Sequence, residues 1–473
     1  MDPLRPGRRG FLAAAAATAV GAATSVPTAA ADTGATAWPP GPGQRLRPQE
    51  PDAELRGILA RIDQHRIEAT IRRLVAFGTR HTLSSQTDPL RGIGAARDWI
   101  LAQMQEIAAT SGGAMTAQAQ SYVQGVSSRI PTPTVITNLV ATITGSTSPE
   151  RVYVVTGHYD SRVSDVMNFT SDAPGADDDG SGVAVVLEMA RVLATHRPKA
   201  TIVLAAVAGE EQGLFGSGHM AQLFKAAGTD VQGMFTNDIV GSSRGDDGTR
   251  DPHTIRLFAE GVPTAETPAQ AAVRLAIGGE GDSPSRQLAR FVTNVASGAA
   301  TGMTVRVIYR RDRYLRGGDH IPFLQQGYPA GRFTEPRENF AHQHQDTRVE
   351  NGVQFGDLAE FCEFDFIQRV ARVNAAAIWS LANGPGTPRG ALLLDGQLTN
   401  TTTLTWQASA EPGLAGYEVV WREATEPDWT HGLMAGNVTS FTVNLAKDNV
   451  FFGVRAVDTA GRRSPVAFPM PSP

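Results

Sequence analysis

Three aspartates, Asp177, Asp178 and Asp179, stand side by side in "PGADDDGSG", residues Pro174 to Gly182. Adjacent carboxylates repel, so the run needs open water or a counter-charge. An EF-hand loop is excluded: with Gly180 as its glycine, position one falls on Gly175 and position twelve on Val186, neither of them an acid. An apolar helix follows at once, which puts the acids at a helix N-terminus, where the dipole favours an anion by only about 0.3–1 kcal/mol. That is too little for three crowded charges, whereas a divalent cation suffices. Other stretches carry matching chemistry. "VYVVTGHYDS" ends in His158-Tyr159-Asp160, and side chains two apart on a strand share a face. A carboxylate so placed can fix the tautomer of a ligating imidazole. "AAVAGEEQGLFGS" closes an apolar run with Glu210 and Glu211, a pair suited to one ligand and one general base. Asp238 lies inside the apolar "MFTNDIV", where a carboxylate needs a partner. "ENFAHQHQD" offers His342, His344 and Asp346. Histidine nitrogens with carboxylate oxygens form a zinc set. Two zincs about 3.5–4 Å apart need a bridging carboxylate, and the central Asp178 suits that place.

Such residues work only if elements bring them together, and the pattern predicts an α/β domain with a mostly parallel central sheet flanked by helices. "TNLVATITG", "RVYVVTGHYD", "TIVLAAVAGEE", "GMFTNDIV", "TVRVIYRR" and "PAGRFTE" read as strands. "SGVAVVLEMARVLATH", "FGSGHMAQLFKAAG", "SPSRQLARFVTNVASGA", the short "GDHIPFLQQ" and a long segment ending at "IWSLAN" read as helices. In open α/β sheets sites form at the C-terminal ends of strands, which is where His158, Glu210 and Glu211 fall. Residues 53 to about 109 have helical periodicity. After Asn383 the texture changes to short strands between turns, which predicts a small all-β sandwich over 384–473.

The chain has 473 residues, 41% hydrophobic and 19% charged, with a formal net charge of −5, so a sizeable core is expected and nucleic-acid binding has little electrostatic support. The single cysteine, Cys362, excludes an intramolecular disulfide and a cysteine zinc finger. Arg8-Arg9-Gly10-Phe11-Leu12, an Ala-rich apolar stretch and Ala29-Ala30-Ala31 resemble a twin-arginine export signal over 1–31. Export to the periplasm or the extracellular space is expected. Residues 32–52 read as a flexible leader. No later apolar stretch of about 18 residues predicts membrane insertion after processing.

Taken in order, His158-Tyr159-Asp160, Pro174 to Gly182, Glu210-Glu211 with Gly213-Leu214 and Gly216-Ser217, Asp238, Gly318-Asp319-His320 and a late histidine resemble the secreted bacterial di-zinc aminopeptidases. The likeness runs from about Asn138 to Asp346. It implies a zinc-exopeptidase-like fold, peptide substrates and two Zn2+ ions per chain. His158, Asp178 and Asp238 would bind one zinc, and Asp178, Glu211 and His342 the other. Glu210 would be the general base and acid, Asp160 would orient His158, and the Asp178–Asp179 peptide would be cis. Asp177 is the aspartate expected to tolerate change. The family's late motif often reads Tyr-His, whereas Phe340-Ala341 precede His342 here, so the oxyanion-stabilising role passes to another group, with Tyr314 and Arg310 as candidates. His344 is the alternative to His342; the four-residue step to Asp346 favours His342. The tryptophan of "LTW", the tyrosine of "GYEVVW" and "VRAVDTAGRRSP" resemble a fibronectin type III module, with a spacer role or binding to a protein or polysaccharide as its expected use.

Rival readings are weaker. Gly241 to Gly245 matches the serine-hydrolase elbow G-x-S-x-G by letter but leads into a turn-rich loop instead of a helix. The absence of any Gly-Lys pair excludes a P-loop. A carboxypeptidase would need a cation such as those of Arg310, Arg311, Arg313 and Arg316. A glutaminyl cyclase or a non-catalytic binding protein on the same scaffold are the remaining alternatives.

Overall fold

The structure, a computed structural model, describes residues 41–396 and 398–472. The expected signal, 1–31, and the first part of the expected leader lie outside the described residues. A two-residue strand, β1 (Gln44–Arg45), precedes helices α1 (Ala53–Ala60), α2 (Gln64–Val75) and α3 (Ile93–Ala109). Strands β2 (Met115–Gln124), β3 (Thr134–Ile143) and β4 (Ser148–His158) lead to helix α4 (Gly180–Leu193) and strand β5 (Ala200–Val207). The single turn α5 (Glu210–Gly213), helix α6 (Phe215–Ala226), strands β6 (Asp230–Asn237) and β7 (Thr254–Phe258), and helices α7 (Pro268–Ala276) and α8 (Pro284–Ala296) follow. Strand β8 (Thr304–Ile308), helix α9 (His320–Gln325), strand β9 (Ala330–Thr334), the hairpin of β10 (Arg348–Glu350) and β11 (Val353–Phe355), and helix α10 (Phe364–Asn383) complete this part.

The main sheet has eight strands in the order β2-β3-β5-β4-β6-β9-β7-β8. Its centre, β5-β4-β6-β9, is parallel, as the alternation of strands and helices requires. The pairings β2–β3, β3–β5 and β7–β9 are antiparallel, so the sheet is mixed, with its parallel part at the middle. The central strands are buried on both faces, which is why they read as continuous apolar runs. Helices α1–α4, α8 and α10 cover one face with the larger core, while α6 and α9 cover the other with Met220, Ala221, Phe323 and Leu324. Helix α4 is buried along nearly its whole length. Its N-terminus can touch β4 because two glycines meet there. A Cβ on Gly157 would lie 2.5 Å from the carbonyl carbon of Gly182, and one on Gly182 would lie 2.2 Å from the Asn237 carbonyl oxygen. That approach sets the aspartate run beside the end of β4.

The C-terminal part is an all-β sandwich of strands β12 (Leu392–Leu394), β13 (Thr402–Thr405), β14 (Leu414–Glu423), β15 (His431–Gly436), β16 (Ser440–Val443), β17 (Val450–Asp458) and β18 (Met470–Pro471). Its sheets are β1-β15-β14-β17 and β16-β13-β12-β18, around Trp406, Tyr417, Trp421, Phe452 and Val454. Membership of β1 in this sandwich corrects the reading of 32–52 as a flexible leader, because from Pro42 onward the segment is held. Gln44 and Arg45 pair with Gly432 and His431, and the Pro42 carbonyl accepts the Trp421 indole N–H at 2.8 Å.

Candidate metal centre

Strands β4, β5, β6 and β9 deliver their C-terminal ends to one edge of the sheet, and the residues singled out in the sequence gather there. His158 is the last residue of β4 and is buried. Asp160, two residues on and fully buried, lies with Oδ1 3.6 Å from His158 Nδ1, while its carbonyl is 3.1 Å from that nitrogen. The same carboxylate accepts the backbone N–H groups of Glu210 (3.3 Å) and Glu211 (3.1 Å) and the Thr82 hydroxyl (3.1 Å). Asp160 therefore ties the histidine to the two glutamates as well as orienting it. Glu210 and Glu211 sit on the one-turn α5, entered through Gly209 in the left-handed conformation (φ 74°) that glycine adopts without steric cost.

Asp178 stands between two histidines. Its Oδ1 is 3.1 Å from His158 Nε2 and its Oδ2 is 2.8 Å from His344 Nε2. Glu211 Oε1 lies 3.0 Å from the same His344 nitrogen. Two triads of possible ligand atoms result, each within 4.8 Å: His158, Glu210 and Asp238 in one, and Asp178, Glu211 and His344 in the other. The Asp178–Asp179 peptide is cis, as the resemblance implied. Asp179 caps α4 through Gly182 N–H (3.0 Å) and accepts the backbone N–H of His158 (2.8 Å), so it locks the helix end to the strand end.

Several expectations are corrected. His344, not His342, reaches the cluster; His342 stacks on Phe361 with ring centroids 3.5 Å apart. His344 has φ 53°, a left-handed conformation rare outside glycine and found where surroundings over-determine a position. That backbone turn is invisible in the residue spacing. Asp177, expected to tolerate change, is buried, and its Oδ1 accepts the Gly241 N–H at 2.6 Å. Tyr314 is 73% exposed with Arg310 over its ring, and among the described residues no hydrogen bond or ion pair joins either to the cluster. Asp319 is fully buried near His158, Asp238 and Asp160, with neither oxygen hydrogen-bonded. His320 is held by the Arg311 carbonyl at 2.8 Å, and burial lowers its pKa to about 4. One residue the sequence reading overlooked is Arg332 of β9, fully buried, whose Nη2 donates to Asp238 Oδ1 at 2.7 Å. An arginine within a buried strand was the available signal, since a buried charge needs a partner.

The electrostatics show which charge the cluster calls for. Burial pushes the Glu210 carboxyl well above its ordinary range, and the charges of Asp238, Glu211 and Asp319 add to that rise. Burial likewise pushes Asp319 to about 7. His344 rises to about 10 against the effect of its burial, because Glu211 and Asp178 face it. The carboxylates thus call for positive charge at this place, and metal binding at such donors displaces protons. The donor set, imidazole nitrogen with carboxylate oxygen, fits zinc. Glu211 Oε1, buried and 3.0 Å from His344 Nε2, fits a ligand position too.

A sheet with a parallel centre, carrying two His–carboxylate triads side by side at its strand ends, defines a metallohydrolase of the α/β class. The model of peptidase family M28 matches residues 138–351. A probable zinc metalloprotease of Pyrenophora teres f. teres is 57% identical over 439 residues, covering 92% of this chain and 91% of that one. One from Pyricularia oryzae is 54% identical over 443 residues, covering 92% and 88%. The chain belongs to peptidase family M28. The motifs resemble those of secreted bacterial enzymes, whereas these relatives are fungal. Among solved structures, LapB from Legionella pneumophila is 20% identical with a TM-score of 0.49, covering 72% of this chain and 78% of that one. A glutaminyl cyclase of an Acidobacteriales bacterium is 16% identical with a TM-score of 0.45, covering 68% and 95%.

Proposed function

We propose that the chain is an exported aminopeptidase that binds two zinc ions and removes N-terminal residues from peptides. The observation that carries this reading is Asp178, whose two oxygens face two different histidines at 3.1 and 2.8 Å. His158, Asp238 and Asp178 would hold one ion, and Asp178, Glu211 and His344 the other. Zinc, when bound, supplies Lewis acidity and a water acidic enough to ionise near neutral pH.

Glu210 does the proton work. It is half-buried at the strand ends, and its backbone is fixed by Asp160. The lift in its pKa suits a base that takes a proton from the attacking water and returns it to the leaving amine. Asp160 and Asp179 hold the His158 ring and main chain, and Arg332 holds Asp238, so the donors keep their places as charge shifts. A carboxypeptidase reading would need a free cation for the substrate carboxylate. Of the arginines considered for that role, Arg316 and Arg313 pair with Glu338 at 2.6 and 3.4 Å, and Arg310 lies over Tyr314.

Chelation should abolish peptide cleavage, and zinc should restore it at two ions per chain. Peptides with a free amino terminus should be cleaved and acetylated ones refused. Glu210→Gln should lower turnover by roughly 10²–10⁴-fold with zinc content unchanged. Equal cleavage of acetylated peptides, or conversion of N-terminal glutamine to a lactam in place of hydrolysis, would overturn the aminopeptidase reading. Zinc loss in Glu210→Gln would make that residue a ligand.

A further inference from the structure

Two residues outside the 138–351 stretch matched to the family grip the loop that carries Asp178. They are Arg80, from the turn after α2, and Asp357, from the segment between β11 and α10. Arg80 is fully buried and Asp357 is 3% exposed. The Asp357 carboxylate accepts two successive main-chain N–H groups, that of Asp177 on Oδ1 at 2.7 Å and that of Asp178 on Oδ2 at 2.8 Å. Its own carbonyl accepts the N–H of Ala176 at 3.3 Å. Arg80 donates to carbonyls instead: Pro174 at 2.6 Å, Gly175 at 2.7 Å, Tyr159 at 2.7 Å and Leu74 at 3.2 Å. Five consecutive residues, Pro174 to Asp178, are thereby held through their main chain by one or the other of these two residues, Ala176 by the Asp357 carbonyl and the other four by the side chains.

The local sequence is cut to fit them. Gly175 has φ +52°, and a Cβ there would lie 2.7 Å from Arg80 Nη2 and 2.5 Å from the Ser161 Cβ. The Arg80 guanidinium faces the carboxylates of Asp357, Asp160, Asp179 and Asp178. Arg80 supplies donors to the carbonyls of the loop, and Asp357 supplies acceptors to its N–H groups. Asp178 must present one oxygen to each histidine, so any rotation of its main chain would misplace both oxygens at once.

We propose that Arg80 and Asp357 are positioning residues for the shared carboxylate of Asp178. The helical segment ahead of residue 138 is on this account a working part of the metal site and not a removable pro-region. The proposal rests on the reading of Asp178 as a metal ligand, and its test separates the two. The full chain, stripped of metal, is titrated with Zn2+ against a chromophoric chelator, and the visible band of the Co2+-loaded protein is recorded. Outer partners of metal ligands typically affect affinity by about 10–100-fold, so Asp357→Asn and Arg80→Lys should weaken Zn2+ binding by that factor. They should also alter the Co2+ band while the far-ultraviolet spectrum of the metal-free protein stays as in the wild type. Asp357→Glu, which keeps the acceptor, should recover part of the affinity; it replaces Asp357→Asn if that variant does not fold. Wild-type Zn2+ affinity and an unchanged Co2+ band in the Asp357 and Arg80 variants would overturn the clamp, provided Asp178→Asn loses metal. Wild-type binding by Asp178→Asn would overturn the metal reading itself.

Discussion

His344 and His342 are two residues apart in one loop, yet their surroundings assign them different work. His344 Nε2 meets Asp178 and Glu211 at 2.8 and 3.0 Å, whereas His342 lies flat on Phe361. Replacing His344 with alanine removes a nitrogen that two carboxylates share, and the protein should then retain less than its full zinc complement after gel filtration. His342→Ala should keep its zinc and lose only the ring stack, at a cost of about 0.5–1.5 kcal/mol in denaturant unfolding. Full zinc in His344→Ala with loss in His342→Ala would restore the order that the sequence favoured. His158, Glu210, Glu211 and Asp238 were legible because each ends or interrupts an apolar run, and Asp178 because three adjacent carboxylates precede one, all of them local signals. The choice between the histidines was not, because it turns on the left-handed backbone at His344. Arg80 and Asp357 were illegible for another reason: Asp357 meets Asp177 and Asp178 across 180 and 179 residues of chain, and Arg80 meets Pro174 and Gly175 across 94 and 95.

The loop that ends in His344 is anchored by an ionic hub where elements meet. Glu338 binds Arg256 of β7 at 3.2 Å, and Arg313 and Arg316 of the loop before α9 at 3.4 and 2.6 Å. Arg316 also reaches Gln343, the neighbour of His344, at 3.2 Å. Burial opposes the Glu338 charge, but the surrounding arginines outweigh it and hold the pKa at about 2 against an ordinary 4.5. A folded pKa below the unfolded one means stability that is fully present above pH 4.5 and is lost as pH falls toward 2. The difference corresponds to roughly 3 kcal/mol. Glu338→Gln should therefore be less stable at neutral pH and show a flatter pH dependence between 4.5 and 2, measured by urea unfolding across that range. An unchanged slope would remove Glu338 from the acid response. Element by element, the parallel centre was readable from its unbroken apolar runs. Strands β2 and β7 and helix α7 were not. Strand β2 is "MTAQAQSYVQ", largely polar at the edge of the sheet, β7 is only five residues with Arg256 in its middle, and α7 buries none of its residues. Edge and surface elements owe their conformation to neighbours that the local pattern does not name.

At the scale of the whole molecule, the sandwich and the α/β part are joined as a folded core is, although the change of texture at Asn383 suggested a separate module. Asp282, 4% exposed, pairs with Arg290 of α8 at 2.6 Å and with Arg422 of β14 at 2.6 Å. The Trp429 indole donates to Gln287 at 2.9 Å, and Lys199 reaches Asp458 at 3.0 Å. The segment from Pro42 to Asp52 then straps the junction. It adds β1 to the sandwich and gives the Gln49 N–H to the Asn294 carbonyl of α8 at 3.2 Å. Gln49 also accepts the Arg463 N–H at 3.0 Å, and Asp52 pairs with Arg462 at 3.1 Å before capping α1. Module and peptidase domain should therefore unfold as one cooperative unit, and a calorimetric scan should show a single transition. Arg422→Met leaves Asp282 with one cation in place of two. Leaving a buried charge with no partner costs about 3–5 kcal/mol; Asp282 keeps Arg290, so the loss is a part of that, and the whole transition, including loss of peptidase activity on heating, should move to lower temperature. Two resolved transitions in the wild type, with Arg422→Met moving only the one that leaves activity intact, would make the sandwich an independent appendage. A single shifted transition would instead make the Asp282–Arg422 pair, between the sandwich and the peptidase part, one of the contacts that keep the metal centre assembled.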